Sequence, residues 1–284
     1  MIRAVIFGAG QAGRMVSKWL PSSNELICYI DNNKDKQGTS IDGMRVVSLE
    51  EALALMPDRI WIATLNVQAA ASIEEQIRDA GFEGTLRYAH AFRDAQDIRL
   101  AALRLIAPEI KSRNLPGAIA ELGVFRGEFA SELSRLFPER DLYLFDTFEG
   151  FHGSDLAKEK EVTGGRMAWH PDFSDTSIET VSAKLAHPEK ARFIQGHFPE
   201  STVQLSGDEE YALVNIDPDL YEPTLQGLRY FWPRMTCGGV IMVHDYNSAQ
   251  FPGVRKAVQE FVSDAGIMVI PLPDLHGTGV IVKY

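Results

Sequence analysis

Twice in this chain an apolar run passes through a glycine turn straight into a helical pattern, and nothing else in the sequence limits the fold so tightly. The first is "RAVIFGAGQAGRMVSKWL" from Arg3, the second "GAIAELGVFRGEFASEL" from Gly117. Glycine at such a turn admits left-handed backbone and lets a neighbour or ligand come close. A short apolar run bounded by turn residues reads as a strand buried on both faces, and such strands belong to parallel sheets covered by helices. Two copies in 284 residues predict two α/β domains, each long enough to bury a core.

The first domain, residues 1–91, reads as a half-Rossmann βαβ domain. Gly8, Gly10 and Gly13 fit G-x-G-x-x-G in the required context, after a strand and at a helix start. The strand "ELICYID" ends on Asp31, where a dinucleotide fold puts the acid that holds a ribose. With Gln11 and Ala12 inside the turn and Thr64 after "RIWIA", these are its candidate nucleotide contacts. The domain also resembles the small nucleotide-binding modules of polysaccharide-biosynthesis enzymes, through "FGAGQAGRMV", "YIDNN" and "WIATLN". Its ligand would be NAD or a nucleotide-sugar; the competing reading is a structural or dimerising remnant, and hence a homodimer.

Helical spacing of Phe92, Ala95, Ile98, Ala102 and Leu105 predicts a connecting helix over 92–113, which "NLPG" ends. From 114 to 284 seven strands follow: "GAIAELG", "DLYLFD", "ARFIQG", "YALVNID", "GVIMVHD", "GIMVIPL" and "GTGVIVKY". Only "PDLH" joins the last two, so the final strand is antiparallel to its neighbour. A mostly parallel seven-stranded sheet with an antiparallel last strand resembles the class I S-adenosylmethionine-dependent methyltransferase architecture. The polar stretch 153–173 is too long for an ordinary connection and is expected to be a lid over the acceptor, with Trp169 and His170 as contacts; a mobile surface insertion is the alternative.

The segments "AELGVFRGEFA", "LFDTFEGF", "DFSDTSIETV", "QGHFPES", "IDPDLYEPTLQGLRYFWPRMTCGGVIMVHDY" and "PGVRKAVQEF" stand in order and together resemble the TylF-type macrocin O-methyltransferase family. The resemblance implies a Mg²⁺-dependent transfer of the S-adenosylmethionine methyl group to a hydroxyl, typically on a sugar. It implies a cofactor site at Glu121, Gly123, Phe125, Gly127, Asp146, Thr147 and Asp217, with Ser174, Gly196 and His197 near the adenine end. It also implies metal ligation by Asp217 and Asp245. Where some relatives carry a paired Asp-Asp this chain has His244–Asp245, which adds His244 to the candidate ligands and leaves their number open.

The residues themselves point the same way. Asp217 and Asp245 each end an apolar strand, and the two strands are neighbours in the methyltransferase order, so both acids reach one rim of the sheet. Oxygen ligands without a cysteine pair favour a hard cation such as Mg²⁺. The alternative for a strand-end acid is a helix N-cap, and Asp219 before "LYEPT" reads either way. Candidates for the base that takes the hydroxyl proton are Asp219, His244 and Glu149; His244 reads equally as a packed strand histidine.

Charge narrows the partners. With 28 basic against 39 acidic residues the chain carries −11 and has no basic cluster, which argues against nucleic acid and anionic membrane. Cys28 and Cys237 sit in apolar, strand-like surroundings and read as buried free thiols of a reducing compartment. The opening "MIRAVIFGAG" is a strand rather than a leader, and no apolar run is long enough to span a membrane, the pattern of a cytoplasmic protein. The expected activity is O-methylation of a sugar hydroxyl on a glycan precursor or glycosylated metabolite. Its rivals are an NAD-dependent oxidoreductase using the first glycine loop and a non-catalytic nucleotide- or nucleotide-sugar-binding protein.

Overall fold

The computed structural model describes residues 1–95, 97–165, 172–274 and 276–284. The chain forms two compact units, Met1–Asp97 with a short stretch from Pro273, and Ile98–Leu272 with His276–Tyr284.

The first unit has strands β1 (Ile2–Phe7), β2 (Asn24–Ile30), β3 (Ser40–Ile41), β4 (Met44–Val47), β5 (Arg59–Ile62) and β6 (Thr85–Tyr88). They form one sheet in the order β3-β4-β2-β1-β5-β6, in which only the β3–β4 pair is antiparallel. Its helices are α1 (Gln11–Trp19), α2 (Leu49–Ala54), α3 (Val67–Asp79) and α4 (Ala89–Ala95). The β3–β4 hairpin escapes a reading by apolar runs because it is so short. Its turn is nonetheless written in the sequence: Asp42 and Gly43 both have positive φ (49° and 81°), the backbone that Asp-Gly supplies at a two-residue hairpin turn.

The second unit runs α5 (Ile98–Ser112), β7 (Ala118–Leu122), α6 (Glu128–Leu136), β8 (Leu142–Asp146), α7 (Gly153–Thr163), α8 (Ile178–Ser182), β9 (Ala191–Gln195), β10 (Tyr211–Ile216), α9 (Tyr221–Phe231), β11 (Met235–Val243), α10 (Pro252–Ala265), β12 (Ile270–Pro271) and β13 (Gly279–Val282). Its sheet has the order β12-β13-β11-β10-β7-β8-β9 and is parallel except at β13, which runs against both neighbours. This is the sheet expected from the sequence. Alternate residues feed two cores. Ala120, Leu122, Val214 and Ile216 pack with Leu225, Leu228 and Phe231 of α9 and Val258 of α10. Ile119, Leu144 and Leu213 pack on the other face with Leu103 and Ala107 of α5 and Leu133 of α6. Each large side chain so buried contributes about 1.5–3 kcal/mol.

The register sets the site. Ile216 lies opposite Leu122 on one side and Val243 on the other, so the residues that follow, Asp217, Gly123 and His244, leave the sheet at one level. The ladder continues one step beyond the strands: the Asp217 amide donates to the Leu122 carbonyl (2.7 Å) and the His244 amide to the Ile216 carbonyl (3.0 Å).

Three expectations change. Residues 92–113 are not one connecting helix: α4 ends at Ala95, and α5 belongs to the second unit, where it buries Leu103, Ala107 and Ile110. The 153–173 stretch is not irregular throughout, since α7 occupies its first half. The buried positions of α7 are Asp155, Glu159 and Thr163, spaced four apart. That is a helical stripe written in polar residues, which an apolar periodicity cannot reveal. Trp169 and His170 lie outside the described residues. Cys28 and Cys237 are both free, but Cys237 is exposed on β11 rather than buried. Among the described residues no helix is long and apolar enough to cross a membrane.

Candidate active site

Within the second unit a cavity of about 430 Å³ opens at the carboxyl ends of β7 to β11. The turn after β7 forms one wall. Gly123 has φ +83°, and a Cβ on it would lie 2.3 Å from the Asp217 carbonyl oxygen. Glycine is required there by the close approach of two strand ends, before any ligand is considered. Asp146 at the end of β8 braces the same turn, its Oδ2 accepting from the amides of Val124 (2.6 Å) and Phe125 (2.9 Å) and its Oδ1 from Phe148 (2.8 Å). Part of its acceptor capacity is thus committed to the protein's own backbone. Glu121, Gly123, Phe125, Asp146, Thr147, Gly196, His197 and Asp217 line the cavity. Gly127, Ser174 and Glu149 are not among the lining residues. Gly127 starts α6 with left-handed backbone, and a Cβ there would come within 2.8 Å of Val181.

The two strand-end acids meet at the deep end. His244 Nδ1 is 2.8 Å from Asp217 Oδ1 and 2.9 Å from Asp245 Oδ2, yet its angles make no hydrogen bond with either. His276 Nδ1 lies 3.1 Å from the other Asp245 oxygen. Asp217, Asp219, His244 and Asp245 each offer one ligand atom, all within 4.8 Å of one another; His244, Asp245 and His276 form a second such set. Burial and then Arg99 oppose a charge on His244, but Asp217 and Asp245 outweigh them and raise its pKa to about 9. Burial and the charges of Asp245 and Asp217 hold Asp219 well above the usual carboxylate range.

Asp219 is not a helix cap. Leu220 is the N-cap of α9, and Asp219 takes a left-handed backbone, φ 61°, as does Asp245 at 55°. Non-glycine residues in that region carry a cost of about 1–3 kcal/mol and concentrate at functional sites.

A third charge comes from α5. Arg99 Nη2 donates to Asp217 Oδ2 (2.8 Å) and to Asn215 Oδ1 (3.0 Å), and its guanidinium lies 4.2 Å from the Phe129 ring centre. Asn215 in turn donates to Glu121 Oε1 (2.9 Å). Glu121 is 1% exposed, and burial raises its carboxyl well above the ordinary value, with Arg99 opposing. Arg99 Nε and Glu121 Oε2 are buried and have no hydrogen-bond partner among the described residues. One is a donor, the other an acceptor, and both residues line the cavity.

The far wall is α7. Asp155 Oδ2 is 2.9 Å from His197 Nε2, and the His152 ring stacks on that of His197 with centres 4.1 Å apart. Fully buried Glu159 accepts from the amides of Tyr221 (2.8 Å) and Gly253 (3.0 Å), at the N-termini of α9 and α10. A Cβ on Gly253 would sit 1.9 Å from Glu159 Oε2, so that glycine makes room for the carboxylate. One side chain thereby ties α7 to the helices that follow the Asp217 and Asp245 loops. Burial raises the Glu159 pKa and the two amides oppose it. Glu159→Gln turns an NH₂ toward one of the amides and should destabilise the protein by about 1–3 kcal/mol in urea melts. Exposed Glu161→Gln, which loses only its Lys158 pair, should change stability by less than about 0.5 kcal/mol.

In the first unit the glycine turn is as tight as its motif. A Cβ on Gly13 would meet the Gly8 carbonyl oxygen at 1.9 Å, and Gly8 has φ +116°. Gln11 and Ala12 open α1, and Thr64 Oγ1 accepts from the Asn66 amide (3.3 Å). Asp31 Oδ2 accepts from the Ala9 amide (2.9 Å) and from Lys36 Nζ (3.0 Å), and its Oδ1 from the Asn33 amide (2.9 Å).

Arg99, Glu159 and His276 are site residues that the sequence reading passes over. Arg99 sits in what reads as a connector, and Glu159 in a helix without apolar period. His276 had a signal: β13 is antiparallel and starts where β11 ends, Gly279 opposite Val243, so the residues just before Gly279 lie near the rim.

Residues 43–283 match the family model described as macrocin-O-methyltransferase (TylF). The chain is 28% identical over 198 residues to the 8-demethyl-8-(2,3-dimethoxy-alpha-L-rhamnosyl)-tetracenomycin-C 4'-O-methyltransferase of Streptomyces olivaceus, covering 66% of this chain and 73% of that one. It is 27% identical over 224 residues to the mycinamicin III 3''-O-methyltransferase of Micromonospora griseorubida, covering 74% and 84%. Among solved structures the O-methyltransferase NovP superposes with a TM-score of 0.56 at 25% identity, covering 65% of this chain and 79% of that one.

Proposed function

This chain belongs to the macrocin-O-methyltransferase (TylF) family, and from that premise we propose that it methylates a sugar hydroxyl of a glycosylated small molecule, using S-adenosylmethionine and a divalent cation. One observation carries the reading: the glycine turn after β7 and the acid–imidazole centre after β10 and β11 face one cavity. The sugar comes from the first relative, which is named for 4'-O-methylation of a rhamnosyl-bearing compound.

The residues fit both groups. Unpartnered Arg99 Nε and Glu121 Oε2 offer a donor and an acceptor to the carboxylate and ammonium of the cofactor's amino-acid end. Asp217, His244 and Asp245 offer the cation a nitrogen and carboxylate oxygens already gathered in one place. When bound, the cofactor supplies an electrophilic methyl, and the cation acidifies and orients the acceptor hydroxyl. Asp219, at the cavity wall beside Asp245, takes the hydroxyl proton. The methyl group would come from the bound cofactor, while the residues of this chain would hold the acceptor oxygen in place and take its proton. His244 is a ligand in this scheme, and Glu149 has no part in it.

The cofactor half is tested by calorimetry with S-adenosylhomocysteine and 5′-methylthioadenosine, which lacks the amino-acid end. Arg99→Met should weaken S-adenosylhomocysteine by about 10–100-fold, the worth of a hydrogen bond to a charged group, and leave methylthioadenosine unchanged. Equal loss for both ligands would exclude Arg99 from that end. A nucleotide at the first unit's turn is a separate proposal. It rests on the open space before Gly10, where no described atom beyond its chain neighbours comes within 4 Å of a Cβ. Titration of NADH fluorescence tests it.

A further inference from the structure

The donor set at the deep end of the cavity is richer in nitrogen than a magnesium site needs. We infer that its ion is a first-row transition metal of the Mn²⁺ to Zn²⁺ series rather than Mg²⁺. This rests on the proposed divalent-cation site and narrows it. Mg²⁺ is a hard ion that takes oxygen ligands and keeps several of its waters, whereas imidazole nitrogen suits the borderline metals of the first row. Here the nitrogen is central. His244 Nδ1 lies between Asp217 Oδ1 and Asp245 Oδ2, at 2.8 and 2.9 Å, and hydrogen-bonds to neither. This buried ring nitrogen and the carboxylate oxygens beside it lie within 4.8 Å of one another, close enough to share one ion.

A second imidazole supports the first. Asp245 is 2% exposed, and its remaining oxygen meets His276 Nδ1 at 3.1 Å. Both oxygens of this one carboxylate therefore face histidines. His276 stands behind Asp245 and orients it, as partners of metal-ligating carboxylates do. With an acid at position 244 the centre would offer oxygens alone; histidine there exchanges an oxygen for a nitrogen. By the order of metal affinities for mixed nitrogen and oxygen donors, that exchange raises preference from Mn²⁺ toward Co²⁺ and Ni²⁺ and does nothing for Mg²⁺.

The test uses the full chain, stripped with chelator and titrated with Co²⁺, whose visible absorption reports ligation directly. Mg²⁺ is then added as competitor. The wild type should hold Co²⁺ against at least a hundredfold excess of Mg²⁺. His244→Asp should lower the Co²⁺-over-Mg²⁺ preference about 10–100-fold, the scale on which ligand-sphere changes act. Displacement of Co²⁺ by comparable Mg²⁺ in the wild type, or an unchanged ratio in the variant, overturns the inference and leaves a divalent-cation site standing. A chain that binds neither ion overturns both. If the variant does not fold, the wild-type competition decides alone.

Discussion

Asp217→Asn should lower turnover by about 10³-fold, the scale of losing one preorganised electrostatic group in an active site. The amide keeps the size of the side chain but offers the ion a neutral oxygen in place of a charged one. It also leaves Arg99, 2.8 Å away, without its anion. Affinity for Co²⁺ or Mn²⁺ should fall at least tenfold, since an ion held by carboxylates depends on their charge. 5′-Methylthioadenosine, which lacks the amino-acid end, should bind nearly as before, because the turn at Gly123, Val124 and Phe125 is braced by Asp146 and not by the Asp217 side chain. Asp245→Asn should behave alike for metal and turnover. A helix-cap role for either acid would instead give a loss of about 1 kcal/mol in melting and nearly normal activity once folded. Activity of the wild type that survives exhaustive chelation would sink the metal reading outright.

Why some of this centre was legible in the sequence and some was not follows from how each residue arrives there. Asp217 and Asp245 could be read because a parallel sheet brings the carboxyl ends of neighbouring strands to one rim, and register alone then makes them neighbours. The glycine turns were legible because positive φ and close approach leave few other residues eligible. Arg99 could not be read: nothing local in α5 says that the side chain at its start spans to the end of β10. Glu159 was hidden by chemistry. A buried carboxylate bonded to two helix N-termini is stable where an apolar residue would be expected, so the helix that carries it looks like a polar loop. The roles of Asp219 and Asp146 needed coordinates, because a strand-end acid can cap a helix, brace a turn or face a cavity with the same local sequence.

Gly123→Ala should cost about 2–5 kcal/mol and disable the cofactor and ion sites together. The new Cβ would lie 2.3 Å from the Asp217 carbonyl oxygen and 2.5 Å from its carbon, closer than real contacts allow, and both are backbone atoms that cannot rotate away. Either the glycine turn or the end of β10 must move. The turn carries the amides held by Asp146, and the end of β10 carries Asp217. Left-handed backbone for alanine adds about 1–2 kcal/mol to the overpacking, itself worth about 1–3 kcal/mol. Gly165→Ala separates the two contributions, since Gly165 has φ +74° with no described atom within 4 Å of its Cβ position. That control should lose only the conformational part, about 1–2 kcal/mol. Urea melts of both variants, beside calorimetry with S-adenosylhomocysteine and Co²⁺, give the answer. If Gly123→Ala melts like the control, binds Co²⁺ normally and loses only the nucleoside ligand, this glycine serves the ligand's approach and not the joining of the two strand ends.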